Sequence, residues 1–109
     1  MEALSYAEIC ALLEEAKEVM GLPFPDVYLM AEIAIAESGG IPLAHNRNSN
    51  GTIDRGLFQI NSIHEKEAHG LEGLDWKAAC YSVRTNIVLA VGIWRKQSYA
   101  AWSSYVRCP

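Results

Sequence analysis

A break in periodicity is what most limits the fold of this chain. Two runs with helical spacing of apolar residues are followed, from residue 41 to residue 61, by a segment of Asn, Ser, Gly and Thr in which that spacing stops. Asn50-Gly51 inside the segment is a tight-hairpin signal, so a two- or three-strand sheet is expected there. Helices on both sides of one polar β insertion define an α+β fold that is mainly α, with the insertion set against the helices.

The helical runs have legible ends. Ser5 followed by Glu8 reads as a capping box, and Ile9, Leu12, Leu13, Ala16, Val19 and Met20 then recur at helical spacing, which predicts a helix over 6–20 ended by Gly21. Pro23 and Pro25 hold an extended link to a second helix, about 26–38, stopped by Gly39-Gly40. That helix is apolar on most sides and is expected to be central. Beyond the insertion, Asn61 or Ser62 caps a short helix to about His69, and Asp75 caps another from Trp76 to Tyr81. Val83, Ile87, Ala90, Val91 and Trp94 share one face of a helix reaching about Gln97, and residues 100–105 form a last turn. With 109 residues, half of them hydrophobic, the chain can bury one ordinary core, and a single domain over 1–109 is expected. A monomer is expected as well.

Charge and cysteine usage narrow the function. A net charge of −4 leaves no basic face for phosphate backbones, so nucleic acid is not an expected partner. The N-terminal stretch carries Glu8, Glu14 and Glu15 among its apolar residues and does not read as a signal peptide. No apolar run approaches the roughly 20 residues that cross a bilayer, so membrane insertion is not expected. Cys10, Cys80 and Cys108 form no C-x-x-C pair, and their odd number fits a reducing compartment, with a Cys10–Cys108 bridge left open. His64 and His69 in HEKEAH superficially resemble a zinc helix, but five residues turn them about 140° apart on a helix. His45 stands alone in the polar segment. No metal and no cofactor are expected.

Two carboxylates in contrasting settings remain. Glu37 lies in the last turn of the apolar second helix, four residues after Ile33 and seven after Met30, and so shares their inward face. Burial and the negative end of the helix dipole both disfavour its anion and raise its pKa towards that of a usable general acid. Asp54 lies in the polar hairpin among Asn and Thr side chains that hydrogen-bond a carboxylate, and is expected to stay ionised. Such a pair suits glycosidic bond cleavage, one group protonating the leaving oxygen and the other meeting the developing positive charge. Asn46, Asn48, Asn50, Gln59 and Asn61 surround it with amides that both donate to and accept from sugar hydroxyl and acetamido groups. Spacing alone leaves a plainer reading equally open, with Glu37 a helix-end acid, Asp54 a turn residue and the asparagines ordinary loop chemistry. Trp76 and Trp94 read as core, Arg47 and Arg55 as surface charges flanking the insertion, and Glu32 as solvent-facing.

From Glu37-Ser38-Gly39-Gly40 through NRNSNGTIDRGLFQINS, residues 46–62, the chain resembles the catalytic heart of the lysozyme superfamily. Glu37 and Asp54 stand seventeen positions apart, as the catalytic glutamate and hairpin aspartate of animal-type lysozymes do, and a G-x-x-Q-I-N-S run follows. The E-S pair followed by G-L-x-Q is also similar to soluble lytic transglycosylases, including short domains of phage lysins and tail proteins. Ala101-Trp102 through Tyr105 is similar to the tryptophan motif that closes the family's groove. Lysozyme is itself the type case of split carboxylates, so the roles that follow are carried over by resemblance. It implies a lysozyme-like fold with a glycan-binding cleft, Glu37 as general acid and Asp54 as second carboxylate. Ser38, Asn48, Gln59, Asn61, Trp102 and Tyr105 are implied substrate contacts, and peptidoglycan glycan strands the implied partner.

The implied reaction cleaves the β-1,4 bond between N-acetylmuramic acid and N-acetylglucosamine. Alternatives are a lytic transglycosylase giving 1,6-anhydromuramic products with Glu37 alone, and a non-catalytic glycan-binding module. The acidic charge and three cysteines depart from the basic, disulfide-rich animal enzymes and fit a phage or bacterial enzyme acting on the bacterial wall. A phage-encoded protein would reach it from the host cytoplasm or as part of a virion.

Overall fold

The first helix forms where its caps place it. In the computed structural model, which describes residues 2–68, 70 and 73–102, α1 spans Tyr6–Met20 and its capping box is complete. Glu8 N donates to Ser5 Oγ at 3.1 Å, and Ser5 N donates to a Glu8 carboxylate oxygen at 2.9 Å. Helix α2, Val27–Ser38, begins one residue later than the spacing predicts, because Asp26 is the cap that accepts from Leu29 N. It closes on Gly39 in the left-handed region at φ 66°.

Helix α2 places Met30, Ala31, Ile33 and Ala34 in the core without exposure. One side stays open to solvent, a stripe of Tyr28, Glu32, Ile35 and Ala36. Helix α1 packs against it, and Leu4 N donates to Gly40 O at 2.8 Å, tying the N-terminal segment to the end of α2. The last turn of α2, where Glu37 sits, is therefore held firmly.

The polar insertion folds as a three-stranded antiparallel sheet of β1 (His45–Arg47), β2 (Ile53–Arg55) and β3 (Ile60–Asn61), in that order. Its register sets Asp54 opposite Asn46 on one side and Asn61 on the other. A 3-10 helix over Ser62–Glu67 follows, capped by Asn61, whose side chain accepts from Ile63 N. His69, the predicted end of this element, lies outside the described residues.

Helix α3, Leu74–Tyr81, starts at Gly73 without a side-chain cap, so Asp75 falls inside its first turn instead of preceding it. Helix α4, Val83–Gln97, is capped by Ser82, and a 3-10 helix over Ser98–Trp102 follows it. The core draws on α1, α2, α3, α4 and the β2–β3 segment, with Leu57, Phe58, Trp76 and Trp102 among its members. Trp94 is half-buried and packs edge-on to Tyr99, with ring centroids 6.1 Å apart.

Asn86 joins helix to sheet. It has no solvent exposure, accepts from Phe58 N at 2.9 Å, and donates to Cys80 O at 2.8 Å and Arg55 O at 3.2 Å. Gly56, at φ 83°, lets the chain pass beside it, where a side chain would strike Cys80 O and the Asn86 amide. Arg55, read from sequence as a surface charge, is buried here at the end of β2. Among the described residues Cys10 and Cys80 form no disulfide, and Cys108, the partner left open for Cys10, lies outside them. Among the described residues no helix is long and apolar enough to cross a membrane.

Candidate active site

Between the end of α2 and the sheet runs a cleft of about 460 Å³. Glu37 comes from the last turn of α2, Asp54 from the middle strand, and Ile93 and Trp102 from α4 and the segment after it. Asn48, Asn50 and Thr52 come from the β1–β2 turn, and Gln59, Asn61 and His64 from the chain around β3.

Glu37 is half-buried and its pKa is raised. Burial is the larger cause, and the negative charge of Asp54 in the same cleft adds to it. The apolar lining contains Ile93 and Trp102. Trp102 is fixed by its indole N–H, which donates to Phe58 O at 3.0 Å, and by an edge-on contact with the Phe58 ring.

Asp54 is positioned by amides and hydroxyls. Asn61 Nδ2 donates to Asp54 Oδ1 at 2.9 Å and also to Thr52 Oγ1 at 3.1 Å. Asn48 Nδ2 reaches the same Thr52 hydroxyl at 3.0 Å, and that hydroxyl donates to Asn50 Oδ1 at 2.7 Å. Thr52 is thus the centre of a network that binds three asparagines to the aspartate. The sequence holds a signal for it, since Thr52 stands two residues before Asp54 and so on the same face of extended chain.

Gln59 lines the cleft and also bonds within the fold. Its Nε2 donates to Ala44 O at 3.2 Å and Gly56 O at 3.1 Å, and its Oε1 accepts from Asn46 Nδ2 at 2.6 Å. The side chain clasps β1 to the turn before β3 and holds Gln59 itself at φ 49°, a strained position for a residue other than glycine. It lines the cleft with its internal bonds already made.

The structure brings Glu37, Asp54, Asn48, Gln59, Asn61 and Trp102 around one cleft. Ser38 is not in the lining. It is 8% exposed, and its hydroxyl donates to Ala34 O and accepts from Gly40 N, closing the helix end. Tyr105 lies outside the described residues. The sequence reading missed Ile93 as lining and weighed His64 only as a metal ligand. Its Nδ1 instead meets Glu67 Oε2 at 3.2 Å. Among the described residues no three His, Cys, Asp or Glu side chains gather where a metal could bind.

A partly desolvated acid and a hydrogen-bonded carboxylate across an amide-lined groove can protonate a bridging oxygen and stabilise the cation left behind. The chain belongs to the family described as lysozyme like domain, whose model matches residues 15–104. Membership points to degradation or binding of peptidoglycan glycan. No curated protein matches the chain.

Proposed function

We propose that the protein is a peptidoglycan-cleaving glycosidase acting on the β-1,4 bond between N-acetylmuramic acid and N-acetylglucosamine. The observation that carries this reading is Glu37, an acid whose pKa is raised by burial in a polar cleft that also holds Asp54. Glu37 donates its proton to the glycosidic oxygen, and Asp54, held by Asn61, faces the positive charge that develops on the sugar. Asn48, Asn61 and the Trp102 wall supply the polar and apolar contacts a glycan needs. The chain's site of action is the bacterial wall, and a phage origin fits its acidity. A single domain over 1–109, acting as a monomer, is part of the same proposal.

A lytic transglycosylase is the second reading, because Glu37 has its raised pKa chiefly from burial and so needs little from Asp54. Digestion of purified peptidoglycan by wild type and Glu37→Gln, followed by mass spectrometry of the fragments, separates the cases. Reducing-end fragments from wild type alone are expected. Anhydro-ended fragments, one water lighter, would give the reaction to the transglycosylase class, and no fragments from either protein would make this a binding module. Asp54→Asn should cripple the hydrolase, with a fall in kcat of roughly a hundredfold or more, and leave a transglycosylase largely active.

A further inference from the structure

Asn50 and Gly51 form the exposed tip of the β1–β2 hairpin. Asn48 N donates to Thr52 O at 2.8 Å and Gly51 N to Asn48 O at 3.0 Å, which closes the turn. Both bonds of the Asn50 side chain to described residues run through Oδ1, which accepts from Thr52 N at 3.0 Å and from Thr52 Oγ1 at 2.7 Å, so Nδ2 is left to water. The space beside Gly51 is open, since a Cβ built there meets no atom within 4 Å.

This pair can react with itself. With no side chain on the following residue, a backbone nitrogen can approach an asparagine amide closely. Gly51 N attacks Asn50 Cγ, and the new N–C bond forms as the Cγ–Nδ2 bond breaks. The proton of Gly51 N passes through water to Nδ2, which leaves as ammonia. Water then opens the cyclic imide at either carbonyl. Opening at Cγ yields aspartate, and opening at the main-chain carbonyl of residue 50 yields isoaspartate, with the chain running through Cγ. Nothing is oxidised or reduced, and water is the sole co-reactant.

We propose that Asn50 is a self-modification site of the folded protein, converted to aspartate and isoaspartate at a rate that Thr52 governs, and that the conversion disturbs the seat of Asp54. Ring closure needs Gly51 N released from Asn48 O and the Asn50 amide released from Thr52. These bonds lie at an exposed hairpin tip, where local opening takes little free energy, so the fold slows the reaction without preventing it. Asn48 and Asn61 are followed by Ser49 and Ser62 and lack the glycine. Thr52 Oγ1 also accepts from Asn48 Nδ2 and Asn61 Nδ2, and Asn61 Nδ2 is the amide that bonds Asp54 Oδ1. A carboxylate on residue 50 therefore adds a negative charge to the network that holds Asp54. Isoaspartate also lengthens the backbone between Asn48 N and Thr52 O, the pair that closes the turn. The conversion is independent of the function proposed above, and only its effect on cleavage rests on that reading.

Trypsin releases Asn48–Arg55 as one peptide, because Arg47 and Arg55 bound it, and mass spectrometry of that peptide from protein aged in mildly alkaline buffer tests the site against fresh protein. Aged wild type is expected to gain the asparagine-to-aspartate mass change at residue 50, in two species with isoaspartate the larger. No conversion there, or conversion no faster than at Asn48 or Asn61, overturns the site without any variant that has to fold. Thr52→Val, which loses the hydroxyl bond to Asn50, is expected to convert roughly fivefold faster. Wild type unfolded in urea, where every such bond is gone, is expected to convert faster than the folded protein. Equal rates in either comparison overturn the control by Thr52. The isoaspartate form, separated by ion exchange, is expected to show a displaced Asn61 side-chain amide resonance by NMR and a kcat/KM on peptidoglycan lowered roughly tenfold. An unmoved resonance overturns the coupling to Asp54, whether or not the protein cuts. A displaced resonance in a protein that cuts nothing when fresh upholds the site and removes only the catalytic reading.

Discussion

At the scale of single residues, Glu37 holds its proton more tightly in the folded chain than in the unfolded one, because burial and the Asp54 charge both oppose its anion. Folding therefore takes up a proton at this site as pH rises past the ordinary glutamate range. The sign follows from linkage: what Glu37 contributes is most favourable below its unfolded pKa and is lost as pH rises through the raised folded one. Glu37→Gln removes that loss. The variant is expected to match wild type at about pH 4 and to be more stable at about pH 7, read as a higher urea midpoint with unchanged slope. A wild type that gains on the variant as pH rises would reverse the assigned burial effect. Asp54→Asn, by removing the second cause, should move the Glu37 carboxyl titration, followed by carbon NMR, to lower pH.

Elements place these residues, and their legibility differs. The caps of α1, the glycine stop of α2, the span of α4 and the hairpin at Asn50-Gly51 could be read from sequence because each signal and its target lie within a few positions. What joins them could not. Asn86 reads as one more polar helix residue, yet across about thirty positions it holds Phe58 N and Arg55 O, and it holds Cys80 O as well. Gln59 likewise matches a motif as a substrate contact, while its bonds to Ala44, Gly56 and Asn46 make it a clasp. Ser38 is absent from the cleft lining for a local reason, since its hydroxyl bonds to the end of its own helix. A prediction follows for the α4–sheet joint. Asn86→Leu keeps the volume and strands three buried backbone groups, so it should cost about 3 kcal/mol or more in chemical denaturation. The same variant should weaken the cleft, because Phe58 O is the acceptor that fixes Trp102.

For the whole molecule the decisive quantity is charge. The chain carries −4 overall, and α1 displays Glu8, Glu14, Glu15 and Glu18 on its exposed side against Lys17. Wall fragments carrying free carboxylates are polyanions, so long-range forces oppose the encounter and affinity must come from short-range contacts in the cleft. Salt screens the long-range part and leaves buried, close contacts largely intact, the Debye length shrinking from about 30 Å at 0.01 M to about 8 Å at 0.15 M. Raising ionic strength across that range should therefore increase kcat/KM on wall fragments by roughly two- to tenfold, where a basic enzyme would lose activity. Cleavage or binding of an uncharged chitooligosaccharide should stay flat over the same range. Initial rates on the two substrates at matched pH check this. A fall with salt on wall fragments would mean that local basic side chains dominate the approach, and that the acidic surface of α1 faces away from the substrate.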